Sequence, residues 1–406
     1  MLLAWLGCVS ACFGQGGRPL SEGLHRSLLP FYRQLESGGV GSYGIVGDSV
    51  SLIDSSYNWQ LRNLLRADYG SAGDGYLALA RFNGVCSANM GGPRCGLQLV
   101  RGPGSFVSED TGPWDEFGPP APDGMWSRLV PTPFPGNQTA QVYGREVVVH
   151  FVRRVGGGLL TIKRNGTTLT TIDTGLASGG PLAGRYVVDT GTDDPNQLTA
   201  IRMETGGPDP VQVNAIEMRS STGGIRYHRL ARGGAGPARF LASMTDANAD
   251  LLRSLDMDLV IIMLDASDGD ADGPGTDLYE ANLSSLVDWY LAQLPGTRFV
   301  LMTHHPFEPA IGPQADAALR VARARGLGYI NLFDLFSGWE EMNSLGLIDG
   351  QVHLTAAGGQ WFGSYVHGLM NQAGREAVVA DANADGSTDF FDLQYFLSAF
   401  SASVND

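Results

Sequence analysis

From about residue 225 the chain alternates short, wholly apolar runs with amphipathic stretches, and this rhythm constrains the fold more than any other feature. Ile225–Leu230, Leu259-Val-Ile-Ile-Met-Leu264, Arg298–Met302 and Tyr329–Leu332 read as strands, with helices expected over 241–255, 278–293 and 313–325. Continuous apolar strands separated by helices specify a parallel sheet covered on both faces. Near the N-terminus the same grammar appears once more. Residues 16–42 predict a helical lead-in built on Leu24, Leu28, Leu29 and Phe31. Tyr43–Gly47 predicts a buried strand, and residues 52–69 an amphipathic helix that stops at Gly70. Between these parts, from 96 to 225, helical period is absent. Glu146–Val152, Leu159–Ile162 and Thr167–Ile172 read as strands, and Asn165-Gly166 is a two-residue hairpin signal. We therefore expect an α/β domain (16–95 and 226–372) interrupted by an inserted β-sandwich at 96–225.

Charge narrows the partners. With 27 basic and 42 acidic residues the formal net charge is −15, which argues against nucleic acid or an anionic lipid surface. After the N-terminus no apolar run approaches the ~20 residues that a membrane span needs. Met1–Gly14 is apolar and followed by polar Gln15–Arg18, which suits a secretory signal peptide over 1–15. Val9-Ser-Ala-Cys12 also resembles a bacterial lipoprotein cleavage box, an alternative address at the cell surface. In an exported chain, Cys86 and Cys95 in a Gly-rich stretch read as a disulfide, the alternative being two buried thiols.

The C-terminus carries Asp381-Ala-Asn383-Ala-Asp385-Gly386-Ser387-Thr-Asp389-Phe-Phe-Asp392, followed by the apolar stretch Leu393–Phe400. Oxygen-bearing side chains at loop positions 1, 3, 5, 9 and 12, a Gly at 6 and the Ser387 carbonyl at 7 match the needs of a hard calcium ion. With Asp at position 12, the segment 378–406 resembles a single dockerin repeat, which implies a structural Ca²⁺ and a docking partner.

Ligands of open parallel sheets bind at the carboxyl ends of the strands, and three features fall there. Ser49 follows Gly47-Asp48 between a buried strand and a helix, where a hydroxyl is exposed and developing negative charge is favoured. Gly233-Gly234 follows the strand Ile225–Leu230, where backbone N–H groups can approach a ligand closely. Asp349 and His353 precede the last helix. Ser, Asp, His is one of the chain orders in which nucleophilic triads occur.

Together these residues resemble the SGNH (GDSL-type) hydrolase family. Gly47-Asp48-Ser49 is similar to its first block, Gly233-Gly234 to its second and His353-Leu354-Thr355 to its last. The stretch Leu61–Tyr76, with Gly73-Asp-Gly75-Tyr76, resembles a subgroup, the peptidoglycan O-acetylesterases and relatives, which carry a carbohydrate-binding β-module after the first block. The resemblance covers about 45–95 and 225–370. It implies a flavodoxin-like three-layer sandwich and hydrolysis of an acyl ester, most plausibly O-acetyl on a glycan such as an acylated polysaccharide or peptidoglycan. It further implies Ser49 as nucleophile, His353 as base and Asp349 as its orienting acid. The oxyanion would be held by the N–H groups of Ser49 and Gly234, with no metal or other cofactor in the chemistry. Two positions depart from the family pattern. Asp265-Ala266-Ser267-Asp268 stands where the family has Gly-x-Asn-Asp, leaving Ser267 as the side-chain oxyanion donor. Asp349 lies four residues before the histidine instead of three, so Asp334 or a backbone carbonyl is an alternative orienting group.

Three further signals carry less. His304-His305 ends a strand, where neighbouring side chains diverge and do not share one ion, so both read as loop or pocket wall. Asp268–Gly273 starts like a calcium loop but lacks a carboxylate at position 12 and reads as a solvated loop. Asp246–Asp250 reads as a helix start capped by Thr245 or Asp246. The expected function is a secreted serine esterase acting on an acylated glycan. The competing readings are a non-hydrolytic polysaccharide-binding surface protein and a glycan O-acetyltransferase.

Overall fold

The computed structural model describes residues 17–52, 56–79, 98–101, 106–109, 126–129, 137–194, 196–264, 276–307, 311–349 and 352–381, with backbone alone for 98–138 and 276. The expected signal peptide, Cys86, Cys95, Ser267 and Asn383 to Asp392 lie outside the described residues.

Six parallel strands form the centre of the molecule. In spatial order they are Gly328–Ile330, Arg298–Met302, Leu259–Met263, Val40–Gly47, Gly224–Ala231 and Ser71–Ala78. The apolar runs are continuous because successive side chains enter two different cores. Val260 and Ile262 join one hydrophobic cluster with Phe299 and Leu301, packed under Asp246–Ser254, Thr276–Gln293 and Gly312–Arg325. Leu259, Ile261 and Met263 join the opposite cluster with Val300 and Met302, under Leu24–Glu36, Tyr57–Tyr69 and Ala356–Ala380. A polar residue at any of these positions would be buried on one face or the other. Each such aliphatic side chain, fully buried, stabilises by roughly 1.5–3 kcal/mol. The result is the α/β, largely parallel, doubly covered sheet that the alternation predicts.

Two expectations are corrected in detail. The single helix expected at 241–255 is two, Pro237–Ala242 and Asp246–Ser254, because Thr245 leaves helical geometry and its side chain accepts the Asn248 N–H at 3.3 Å. The helix expected from 52 is a short turn, Ser49–Leu52, followed by the helix Tyr57–Tyr69.

The sixth parallel strand, Ser71–Ala78, is shared property. On one side it pairs in parallel with Gly224–Ala231. On the other it pairs antiparallel with Val211–Arg219, which in turn pairs with Glu146–Val155. One sheet of the intervening region is thus continuous with the α/β sheet, and the insertion is not a detached sandwich. A second, antiparallel sheet of five strands runs Thr167–Asp173, Leu159–Arg164, Thr199–Thr205, Asn137–Val142 and Gln98–Arg101. Asn165-Gly166 closes its hairpin, with Arg164 opposite Thr167. A third core fills the space between the sheets, and Leu77 and Leu79 of the shared segment belong to it beside Val149, Ile162 and Met203.

The junction holds charge as well as apolar bulk. Asp74, buried on the shared strand, receives Arg62 at 2.8 Å, Arg66 at 2.8 Å and the Tyr143 hydroxyl at 2.7 Å. Burial alone would raise its carboxyl, but the two guanidinium groups and the Tyr143 hydrogen bond outweigh it and hold it at about 2. Arg62 and Arg66 come from the preceding helix and Tyr143 from the inserted region, so this one carboxylate ties three segments together. The Gly-Asp-Gly-Tyr resemblance therefore falls on an architectural junction.

Candidate active site

Ser49 begins the short helix Ser49–Leu52 directly beyond the carboxyl end of the central strand Val40–Gly47. The turn is fixed from several sides. Asp48 Oδ1 accepts the Val50 N–H at 2.9 Å, the buried Asn58 amide donates to the Ser51 carbonyl, and Arg229 donates to the Leu52 carbonyl at 3.3 Å. A side chain on Gly47 would place its Cβ 2.2 Å from Ser51 Oγ, so only glycine lets the strand enter this turn.

His353 comes from the far end of the chain, in the segment that leads into the helix Ala356–Ala380. Its Nε2 lies 3.1 Å from Ser49 Oγ, within hydrogen-bond reach for proton transfer. Its backbone is held by the Asp349 N–H donating to the His353 carbonyl at 2.9 Å and by the bridge between Ile348 and Leu354. Asp349 Oδ2 is 3.9 Å from His353 Nδ1, and that carboxylate is 49% exposed. The sequence order brings Ser49, His353 and Asp349 to one place, with the acid farthest out. Asp334, the alternative orienting group, is instead occupied by Arg18, at 2.7 Å, and by Asn331.

Gly234 lies in the turn after Gly224–Ala231, with φ +66° and the Arg239 guanidinium 3.9 Å from where a Cβ would stand. Its carbonyl accepts from Arg239 at 2.8 Å, and Arg232 N–H is bound to the Gly47 carbonyl at 2.9 Å, which joins this turn to the one bearing Ser49. Ser267 lies outside the described residues.

His304 and His305 do diverge. Nε2 of His304 lies 3.1 Å from Asp48 Oδ2, next to Ser49, while Nε2 of His305 is 2.8 Å from the carbonyl oxygen of Val352, next to His353. Among the described residues no group of three or more His, Cys, Asp or Glu side chains is arranged to hold a metal ion. Sequence reasoning missed these buttressing contacts, and Asn58 and Arg229 with them, because each depends on a tertiary neighbour.

Residues 190–361 match the model of the GDSL-like Lipase/Acylhydrolase family. Over that stretch the chain is similar to the GDSL-like lipases and acylhydrolases. The match takes in Gly234 and His353 and begins after Ser49. This likeness supports a carboxylic ester hydrolase. A solved peptidoglycan O-acetylesterase superposes on this chain with a TM-score of 0.67 at 17% identity, over 88% of this chain and 99% of that one. A family 2 carbohydrate esterase with a carbohydrate binding domain from Corynascus thermopiles (Myceliophthora fergusii) gives a TM-score of 0.32 at 13% identity, covering 66% and 99%. A family two carbohydrate esterase from Clostridium thermocellum, in complex with cellohexaose, gives 0.29 at 10% identity, covering 68% and 98%. The fold assignment rests on the first of the three. No curated protein matches the chain.

Among the described residues no helix is long and apolar enough to cross a membrane.

Proposed function

We propose that this chain is a secreted serine esterase that removes O-acetyl groups from a glycan. The observation that carries the reading is the 3.1 Å approach of His353 Nε2 to Ser49 Oγ. His353 accepts the Ser49 proton as Oγ attacks the acetyl carbonyl, and the oxyanion is held by the N–H groups of Ser49 and Gly234 and by the Ser267 hydroxyl. The acyl carbon–oxygen bond to the sugar then breaks, and the sugar oxygen leaves with the proton from His353. Water, deprotonated by the same imidazole, releases acetate and restores Ser49. Asp349 orients and stabilises the imidazolium from the rim of the site. The substrate class is suggested by the superposable peptidoglycan O-acetylesterase, and secretion by the leader Met1–Gly14.

The test is acetate release from O-acetylated peptidoglycan and from acetylated polysaccharide by the full chain, with Ser49→Ala as control. Turnover that survives in Ser49→Ala would refute the serine mechanism. Glycan binding without any ester hydrolysis would favour the binding-protein reading, and donor-dependent acetylation of a glycan would favour the transferase.

We also propose that the segment Asp381–Asp392 binds one structural calcium ion and presents a docking surface. Asp381 ends the helix Ala356–Ala380 with a buried carboxylate whose Oδ2 meets Arg33, while Oδ1 has no hydrogen-bond partner among the described residues. Asn383, Asp385, the Ser387 carbonyl, Asp389 and Asp392 would complete an oxygen shell. Terbium luminescence, competed by calcium and lost in Asp385→Ala, tests this.

A further inference from the structure

We propose that His305 is a positioning residue for His353, acting through the backbone of Val352. The inference rests on the serine-esterase reading and goes beyond it by assigning the orientation of the base to a buried imidazole.

The Asp349 carboxylate stands 3.9 Å from His353 Nδ1 and is half exposed, so side-chain pairing holds the ring weakly. The backbone on which the ring stands must therefore be held well. One edge of that segment is pinned by the Ile348–Leu354 bridge and by the Thr355 N–H donating to the Leu347 carbonyl at 3.0 Å. The other edge is pinned by His305, whose Nε2 lies 2.8 Å from the Val352 carbonyl, one residue before His353. A carbonyl only accepts, so Nε2 of His305 carries a proton and donates. The ring is 2% exposed and fixed between Phe307 and Phe362, with centroids 5.7 Å from each. Its main chain is held too, by the Phe307 N–H donating to the His305 carbonyl at 2.9 Å. Burial, reinforced by His304, pushes its pKa down to about 3, so it remains a neutral donor across the physiological range. His305 is too deep to touch a substrate. What it sets is where His353 stands relative to Ser49, and displacement of a reacting group by about 1 Å can cost 10²-fold.

The experiment compares full-chain wild type, His305→Leu and His305→Gln. Leucine fills the space without a donor, whereas glutamine restores an N–H at the Nε2 position. The readouts are the rate at which a fluorophosphonate probe labels Ser49, and kcat and KM for 4-nitrophenyl acetate. We expect His305→Leu to slow labelling and lower kcat by roughly 10- to 100-fold with KM nearly unchanged, and His305→Gln to recover most of both. Wild-type rates in a folded His305→Leu protein, or a glutamine variant as slow as the leucine one, would overturn the proposal. If His305→Leu does not fold, ¹⁵N spectra of the wild-type imidazoles decide instead. An Nε2–H neutral tautomer at His305 supports the proposal, and an Nδ1–H tautomer overturns it. Wild-type protein that the probe does not label at Ser49 would bring down the esterase reading itself, and this role with it. Labelling that is normal in every variant would bring down the His305 role alone.

Discussion

The Asp349 carboxylate stops 3.9 Å from His353 Nδ1, on the rim of the site, with half of its surface in water. In a tight triad, neutralising the acid costs about 10⁴ in kcat. Here water screens the pair and the contact is longer than a hydrogen bond, so the loss should be far smaller. Asp349→Asn is expected to lower kcat on an aryl acetate by about 10-fold or less, because exposed pairs couple by only ~1 kcal/mol. Steady-state kinetics with the purified variant check this, and a loss near that of the tight triad would mean that the loop closes on His353 in solution.

Replacing Ser49 by Ala removes the proposed nucleophile. Acetate release should fall by roughly 10³-fold or more, while the melting temperature changes little, since Ser49 is partly exposed at the start of a short helix. Ser267→Ala is the companion test. If its hydroxyl supplies the side-chain oxyanion donor, kcat should drop by about 10²–10³ with KM preserved.

Asp74 is the keystone of the junction between the sheets. Asp74→Asn leaves Arg62 and Arg66 buried without their counter-charge, and removing one partner of such a group costs about 3–5 kcal/mol. Urea unfolding at pH 7 should show this loss. The pH dependence has a definite sign. Its folded value, about 2, lies below the ordinary 3.8. The stabilisation is therefore complete above pH 3.8 and disappears as pH falls toward 2.

Acidification should weaken the protein before Asp74 titrates. His228 is wholly buried in the central sheet, accepts the Tyr76 N–H on Nδ1 and donates to Ser42 from Nε2. Burial pushes it from 6.5 down to about 3, and His305 likewise. A depressed pKa gives stability that is present above pH 6.5 and lost progressively as pH falls toward 3. Asp258, lifted by burial from 3.8 to about 6, acts in the opposite sense between those values. Two displaced imidazoles outweigh one carboxyl, so the urea midpoint should be lower at pH 4.5 than at pH 7. A flat profile would contradict the neutral packing of both rings.

Gly73 takes φ +102°, and a Cβ there would lie 2.3 Å from the Met218 carbonyl oxygen in the neighbouring strand. Gly73→Ala combines backbone strain with a clash against main chain that cannot swing aside. We expect a loss of about 2 kcal/mol or more, read as a lower thermal midpoint, with little change in the kinetics of the folded fraction.

The parallel sheet was legible because Leu259–Met263 and Arg298–Met302 feed two cores at once, which writes an unbroken apolar run into the chain. Ser49 and His353 were legible as a pair through their chain order on such a sheet. The strand Ser71–Ala78 was hidden because Gly73, Asp74 and Gly75 interrupt its apolar pattern. Asp74 is tolerated inside only because Arg62, Arg66 and Tyr143 meet it there, a condition no local window contains. The pinning of Val352 by His305 spans 47 positions and involves a backbone atom, so no spacing rule points to it. The break at Thr245 was half visible, since its capping side chain was recognised but the helix before it was not separated from the one after.

The strand Ser71–Ala78 hydrogen-bonds to the parallel sheet on one flank and to the inserted strands on the other. Excising those inserted strands would bare a row of amide and carbonyl groups along that flank, the kind of edge on which chains aggregate. The insertion therefore cannot be trimmed away or transplanted as an independent cassette, and its orientation is built into the same ladder that carries the strand before Ser49.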